Sequence, residues 1–131
     1  MKKFKGWIAM LFLSLSLFGM TACSNGGSHS YEQITPQEAK TIMDTEKDYI
    51  VIDARTAEEF AEGHIADAIL IPEYEIASRA EKELPDKDAL ILVYCRSGRR
   101  SKIASEELVK LGYTNVKEFG GIIDWPYEVV K

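Results

Sequence analysis

The sequence predicts an α/β domain on a mostly parallel central sheet of about five strands, with helices on both faces. Three observations predict it. Short, continuously apolar runs rich in β-branched residues, such as Tyr49-Ile50-Val51-Ile52 and residues 89–94, need cover on both faces, as strands of a parallel sheet do. Segments with apolar residues at helical spacing alternate with these runs. The runs also stop abruptly, with Asp53, Pro72, Cys95 and Gly120 each following directly on a strand's last residue. In a parallel sheet the loops opened there share one edge, the edge at which such sheets bind ligands.

The first 30 or so of the 131 residues stand apart from this pattern. Lys2, Lys3 and Lys5 form a cationic head, residues 7–20 are almost wholly apolar, and small residues follow up to Cys23. Basic, apolar and small-residue segments in that order predict a secretory signal peptide over residues 1–22. The apolar run falls short of the roughly 20 residues that a membrane-spanning helix needs. Met20-Thr21-Ala22-Cys23 resembles a lipoprotein processing box, with Met20 in place of the usual leucine. That resemblance implies that Cys23 is lipidated and becomes the first mature residue. Residues 23–30 then read as a lipidated cysteine and a polar tether, in which His29 is solvated rather than a metal ligand. The expected product is an exported domain, residues 31–131, held on the extracytoplasmic side of a membrane through its lipid anchor alone.

Within the domain, Thr35-Pro36-Gln37-Glu38 carries a capping residue, proline at the first helical position and the glutamate of a capping box. Ala39, Ile42 and Met43 give that helix its apolar stripe before the polar residues 44–48. The strand of residues 49–52 follows. Thr56-Ala57-Glu58-Glu59 is a second capping box, opening a short helix that stops at Gly63. Residues 68–71 make a strand halted by Pro72. Residues 73–84 read as one helix with Ala77, Ala80 and Leu84 on its inner side and Pro85 beyond. Residues 89–94 form the next strand, and a helix from about Arg100 to Leu111 buries Ala104, Leu108 and Leu111 and stops at Gly112. Residues 116–119 make a last strand before Gly120-Gly121 and a brief apolar end containing Trp125.

The chemistry concentrates in Cys95-Arg96-Ser97-Gly98-Arg99-Arg100-Ser101. Three arginines lie within five residues of the single cysteine of the domain, and a helix starts behind it. The thiolate is the nucleophilic form, and cations or a helix N-terminus lower a cysteine's ordinary value of about 8.5 to about 3.5–7.5. Gly98 lets the backbone turn back, so that amides and the helix start form an anion cradle around the sulfur. With Cys23 lipidated, Cys95 has no disulfide partner, which points to a reactive thiol. Without residues 1–22 the chain loses three of its 16 basic residues and none of its 21 acidic ones, leaving a net charge of −8. That surface disfavours nucleic acid, and a local cationic loop on it suits a small anionic substrate.

Four blocks resemble a single-domain rhodanese, the sulfurtransferase fold, over roughly residues 31–127. They are Val51-Ile52-Asp53-Ala54-Arg55, Glu59-Phe60-Ala61-Glu62-Gly63-His64-Ile65, the Cys95 loop, and Gly120-Gly121 before Trp125. The resemblance implies that Cys95 carries sulfane sulfur as a persulfide, from a thiosulfate-like or persulfide donor to cyanide or a thiol. It implies that Arg96, Ser97, Gly98, Arg99, Arg100 and Ser101 bind the donor, with no cofactor. Related cysteine phosphatases place an arginine six positions after the cysteine, in a loop one residue longer. Ser101 stands at that position here, so the cradle is sized for a persulfide or sulfonate, and no general acid for a phosphatase is evident. A non-catalytic binding or sulfur-relay module is the alternative, with a phosphatase or arsenate reductase behind it. Asp67 replaces the family's usual glycine at a turn, and the chain after Trp125 is short for the family's closing helix.

The remaining polar residues read as structural. His64 is expected to hydrogen-bond the turn after Gly63. Asp53 and Arg55 are a candidate buried pair supporting the loop edge, with Arg55 also a candidate for admitting an anion. Trp125 is expected to pack at the core or its rim. One histidine and one available cysteine do not make a metal site. The acceptor, a thiol or another protein, is not specified, and the domain is expected to act as a monomer.

Overall fold

The computed structural model describes residues 30–131; the expected signal peptide, Cys23 and His29 lie outside the described residues. Five strands, β1 (Glu32–Gln33), β2 (Ile50–Asp53), β3 (Ile69–Leu70), β4 (Ile91–Cys95) and β5 (Val116–Gly121), form one sheet in the order β1-β5-β4-β2-β3. Every pairing is parallel. The four helices are α1 (Pro36–Thr45), α2 (Ala57–Glu62), α3 (Ile76–Glu83) and α4 (Arg99–Lys110).

Alternation along the central strand β4 divides the core in two. Ile91, Val93 and Cys95 join Ile52, Ile76, Ala80, Ala104 and Leu108 under α3 and α4. Leu92 and Tyr94 join Ala39, Val51, Ile65 and Phe119 on the α1 face, where Trp125 packs as a rim residue. All five residues of β4 are buried. Burial of each large side chain contributes about 1.5–3 kcal/mol, so β4 is firmly held on both faces.

Both capping boxes form: Thr35 with Glu38 opens α1, and Thr56 with Glu59 opens α2. One reading changes, and two features add to the rest. Residues 73–84 are not one helix. A 3-10 turn at Glu73–Glu75 precedes α3, because Pro72 has no N–H and fixes the entry. This shifts the inner stripe to Ile76, Ala80 and Leu84, and leaves Ala77 exposed. The two-residue edge strand β1 lacks any periodic signal and follows from pairing with β5. The chain beyond Trp125 makes no helix; Val130 instead bridges antiparallel to His64.

Candidate active site

Strand β4 ends on Cys95, whose side chain is fully buried on the α4 side of the sheet. There the register with β5 shifts: Val93 faces Glu118, but Cys95 faces Gly121. Two steps along β4 therefore match three along β5, and the bulge turns the end of β5 around the loop. A Cβ on Gly121 would lie 2.0 Å from the Arg96 carbonyl oxygen and 2.5 Å from Ser97 Cα, so only glycine lets the two backbones pass. The Ile123 N–H then fixes the Arg96 carbonyl at 3.2 Å.

Gly98 precedes α4 with φ of 110°, a conformation that side-chain-bearing residues rarely adopt, and this aims its N–H at Cys95 Sγ, 3.0 Å away. No side chain caps α4, so the first-turn amides and the positive end of the helix remain available to an anion. Ser101, buried in the first turn, sets its Oγ 3.4 Å from Sγ, where it can accept from the thiol. A small inward hydroxyl thus fills the sixth position.

The six loop residues expected to bind substrate divide into three groups. Gly98 and Ser101 touch the sulfur. Arg96, Ser97 and Arg99 are exposed at the mouth, and neither arginine is in an ion pair among the described residues. Arg100 lies back on α2, where its two terminal nitrogens meet the Glu59 carboxylate at 2.8 and 3.0 Å. Hydrogen bonds from Arg100, with help from Thr56, hold the Glu59 carboxyl at about 2 against an ordinary 4.5. The loop mouth is open. A cleft of about 820 Å³ lies on the α1 face between Lys40, Tyr49, Trp125 and Tyr127 and includes no residue of the Cys95 loop.

The rhodanese-like domain family matches residues 35–126. The chain belongs to that family. Among curated relatives, this rhodanese-like domain is 40% identical over 80 residues to thiosulfate sulfurtransferase PspE of Escherichia coli, covering 61% of the chain and 77% of the relative. It is 42% identical over 88 residues to a sulfurtransferase of Allochromatium vinosum, covering 66% and 79%. It matches only 24% of the length of a larger adenylyltransferase and sulfurtransferase of Candida albicans, at 34% identity. Among solved structures, a rhodanese with anions from E. coli superposes with a TM-score of 0.60 at 38% identity, over 63% of this chain and 98% of that one. A rhodanese-related protein from Thermoplasma volcanium does so with a TM-score of 0.66 at 34% identity, over 76% and 98%.

Beneath the loop edge, the rhodanese-like domain carries a closed polar network. Asp53, fully buried at the end of β2, accepts from the Arg55 N–H at 2.9 Å and from its guanidinium at 2.7 and 2.9 Å. Arg55, 5% exposed, also donates to the Gly63 carbonyl at 2.7 Å. Both side chains are thus tied into the network under the loop edge, with Arg55 held through Nε and Nη2. Tyr94 completes the network by donating to Asp53 at 2.6 Å and accepting from the Ile65 N–H at 3.1 Å. Burial, then the Asp53 charge, pushes the Tyr94 hydroxyl well above its ordinary range.

His64 lies outside the chemistry as well. Its Nδ1 meets the Phe60 carbonyl at 2.9 Å and its ring stacks on Phe60 with centroids 3.6 Å apart. The partner is the carbonyl of Phe60, in the last turn of α2, rather than the turn after Gly63. Asp67 adopts φ of 68°, the left-handed turn that a glycine would otherwise make. One residue near the sulfur had no motif to mark it. Glu118, 2% exposed, accepts from Ser101 at 2.5 Å and from the Gly120 N–H at 2.9 Å. Glu59 was legible as a helix cap and as the start of a family block, but not as the partner of Arg100. An acid on the inward pleat of a strand, in register with Val93, is the signal that marks Glu118 in retrospect.

Proposed function

We propose that the domain is a sulfurtransferase that carries sulfane sulfur as a persulfide on Cys95. The observation that carries the reading is the sulfur's setting: Sγ sits 3.0 Å from the Gly98 N–H at the open end of α4, with the Ser101 hydroxyl at the sixth position. The Gly98 N–H and the positive end of α4 stabilise a thiolate or a terminal sulfur, and the short loop leaves no inward arginine to grip a phosphate ester. The Cys95 thiolate attacks the outer sulfur of a thiosulfate-like donor, the new S–S bond forms, and sulfite leaves with the electron pair of the broken bond. Cyanide or a thiolate then takes the outer sulfur and Cys95 departs as thiolate. Arg96 and Arg99, exposed at the mouth and in no ion pair among the described residues, attract the anionic donor.

Incubation with thiosulfate should add one sulfur to the intact mass, and cyanide should remove it as thiocyanate. Persistence of the gain in Cys95→Ser would overturn the assignment to this residue. Phosphate release from an aryl phosphate without sulfur uptake would favour a phosphatase. The placement of the domain on the outer side of a membrane is likewise proposed, from the sequence around Cys23. Detergent-phase partitioning and an N-terminal mass matching acylated Cys23 would support it, and an aqueous protein starting at Ser24 or later would refute it.

A further inference from the structure

Glu118 is a buried carboxylate that faces no cation among the described residues. Oε1 receives only the Gln33 amide at 3.4 Å, and Oε2 receives the Ser101 hydroxyl at 2.5 Å and the Gly120 N–H at 2.9 Å. A buried carboxylate without a counter-ion depends on its hydrogen-bond donors, and these three are all neutral. Ser101 connects this carboxylate to the nucleophile, because its Oγ also lies 3.4 Å from Cys95 Sγ. A hydroxyl has one hydrogen and two acceptor sites. With that hydrogen on Glu118, a lone pair remains for the Cys95 S–H. Thiol, hydroxyl and carboxylate therefore form one continuous donor–acceptor chain running from β4 through α4 to β5.

We propose that Ser101 and Glu118 are a proton relay for Cys95, a role that rests on the sulfur-transfer reading above. The S–H proton passes to Ser101 Oγ as the Ser101 hydrogen passes to Glu118 Oε2. The S–H bond breaks, a carboxyl O–H forms, and the hydroxyl is regenerated with its hydrogen turned toward the sulfur. The products are a thiolate with two donors, Gly98 N–H and Ser101 O–H, and a neutral Glu118 that no longer needs a counter-ion. No net charge leaves the buried site. The reverse transfer reprotonates Cys95 after the sulfur has left. Glu118 acts through Ser101, so it is a positioning and proton-holding residue, and it does not touch the donor. The other groups facing the chain are Tyr31 and Gln33 beside Glu118, and Arg100 beside Cys95.

The sign of one substitution separates a relay from a passive anchor. Removing a negative charge near a thiol favours its ionisation, so a merely structural Glu118 predicts more thiolate in Glu118→Gln. The relay predicts less. The whole protein would be followed by ultraviolet thiolate absorbance and by iodoacetamide alkylation rate from about pH 5 to 10, neither of which needs a sulfur donor. The expected result is a thiolate signal nearly independent of pH near neutrality in the wild type. In Glu118→Gln and Ser101→Ala an ordinary single titration should replace it, with alkylation about tenfold slower near pH 6 and the gap closing toward pH 10. Ser101→Thr, which keeps the hydroxyl, should recover most of the loss. Equal or faster alkylation of Glu118→Gln near pH 6 would overturn the proposal, and if that variant does not fold, Ser101→Ala against Ser101→Thr decides. Absence of sulfur uptake by the wild type would instead refute the sulfur-transfer reading.

Discussion

Glu59 grips Arg100 with both carboxylate oxygens, at 2.8 and 3.0 Å, while the same carboxylate accepts the Thr56 N–H that closes the α2 capping box. One side chain thus ties the start of α2 to the first turn of α4, beside the Cys95 loop. The Glu59 carboxyl lies at about 2 when folded against an ordinary 4.5. A carboxyl lowered on folding stabilises fully above its unfolded value, and the contribution is lost as pH falls through the folded one. Urea unfolding from about pH 6 to 2 should therefore show the wild type about 1 kcal/mol more stable than Glu59→Gln at the upper end, with the gap shrinking steadily toward the lower end. A constant difference across that range would contradict the pairing.

The two adjacent glycines of β5 should behave differently. A Cβ on Gly121 meets the loop backbone at 2.0–2.5 Å, whereas one on Gly120 meets nothing within 4 Å. Gly120→Ala has only its φ of 90° to pay for, about 1–2 kcal/mol. Gly121→Ala must displace Arg96 and Ser97, and with them the Gly98 N–H that faces the sulfur. Sulfur uptake by Gly121→Ala is expected to fall by about a hundredfold or more, because a displacement of about 1 Å is enough for such a loss. Gly120→Ala should keep most of its activity. Single-turnover persulfide formation measures both.

Much of this was legible because local chemistry and fold agree. The apolar runs around Ile52 and Val93 had to be central strands, and the Thr35 and Thr56 boxes had to start helices, since each motif satisfies its own backbone. Cys95 stood out by its neighbours in sequence. The pairing of Arg100 was not legible for the same reason: proximity in sequence grouped all three arginines around the sulfur, while its guanidinium reaches 41 positions back to Glu59. Glu118 and Tyr94 were missed because their partners, Ser101 and Asp53, lie 17 and 41 positions away and are brought together by the parallel sheet. Long-range polar pairing leaves no periodic trace in a single sequence.

The Asp53, Arg55 and Tyr94 network should dominate the stability of the loop edge. Removing one member of a buried pair strands the other, which typically costs about 3–5 kcal/mol, so Arg55→Ala is expected to be among the most damaging substitutions in the domain. Tyr94→Phe removes one donor to Asp53 and leaves the buried Ile65 N–H without a partner, a loss of about 1–3 kcal/mol. The Tyr94→Phe variant should still take up sulfur at 25 °C. Denaturant titration with unchanged slope, combined with the persulfide mass shift, distinguishes this supporting role from a direct one.

Donor affinity should follow the free cations and not the nearest ones. Arg96 and Arg99 are exposed and unpaired among the described residues, while the charge of Arg100 is largely answered by Glu59. Replacing Arg96 or Arg99 by alanine is therefore expected to raise the KM for thiosulfate about threefold to tenfold with kcat little changed, the effect of one solvent-screened charge on anion binding. Added salt should raise the wild-type KM in the same way and do so less in the double variant. The discriminating substitution is Glu59→Gln. By releasing Arg100 from its carboxylate, it should lower the KM for the same anion even as it weakens α2. A rise in KM in that variant would mean that the Glu59–Arg100 pair itself builds the donor site, and that Arg100 binds the anion only while Glu59 holds it in place.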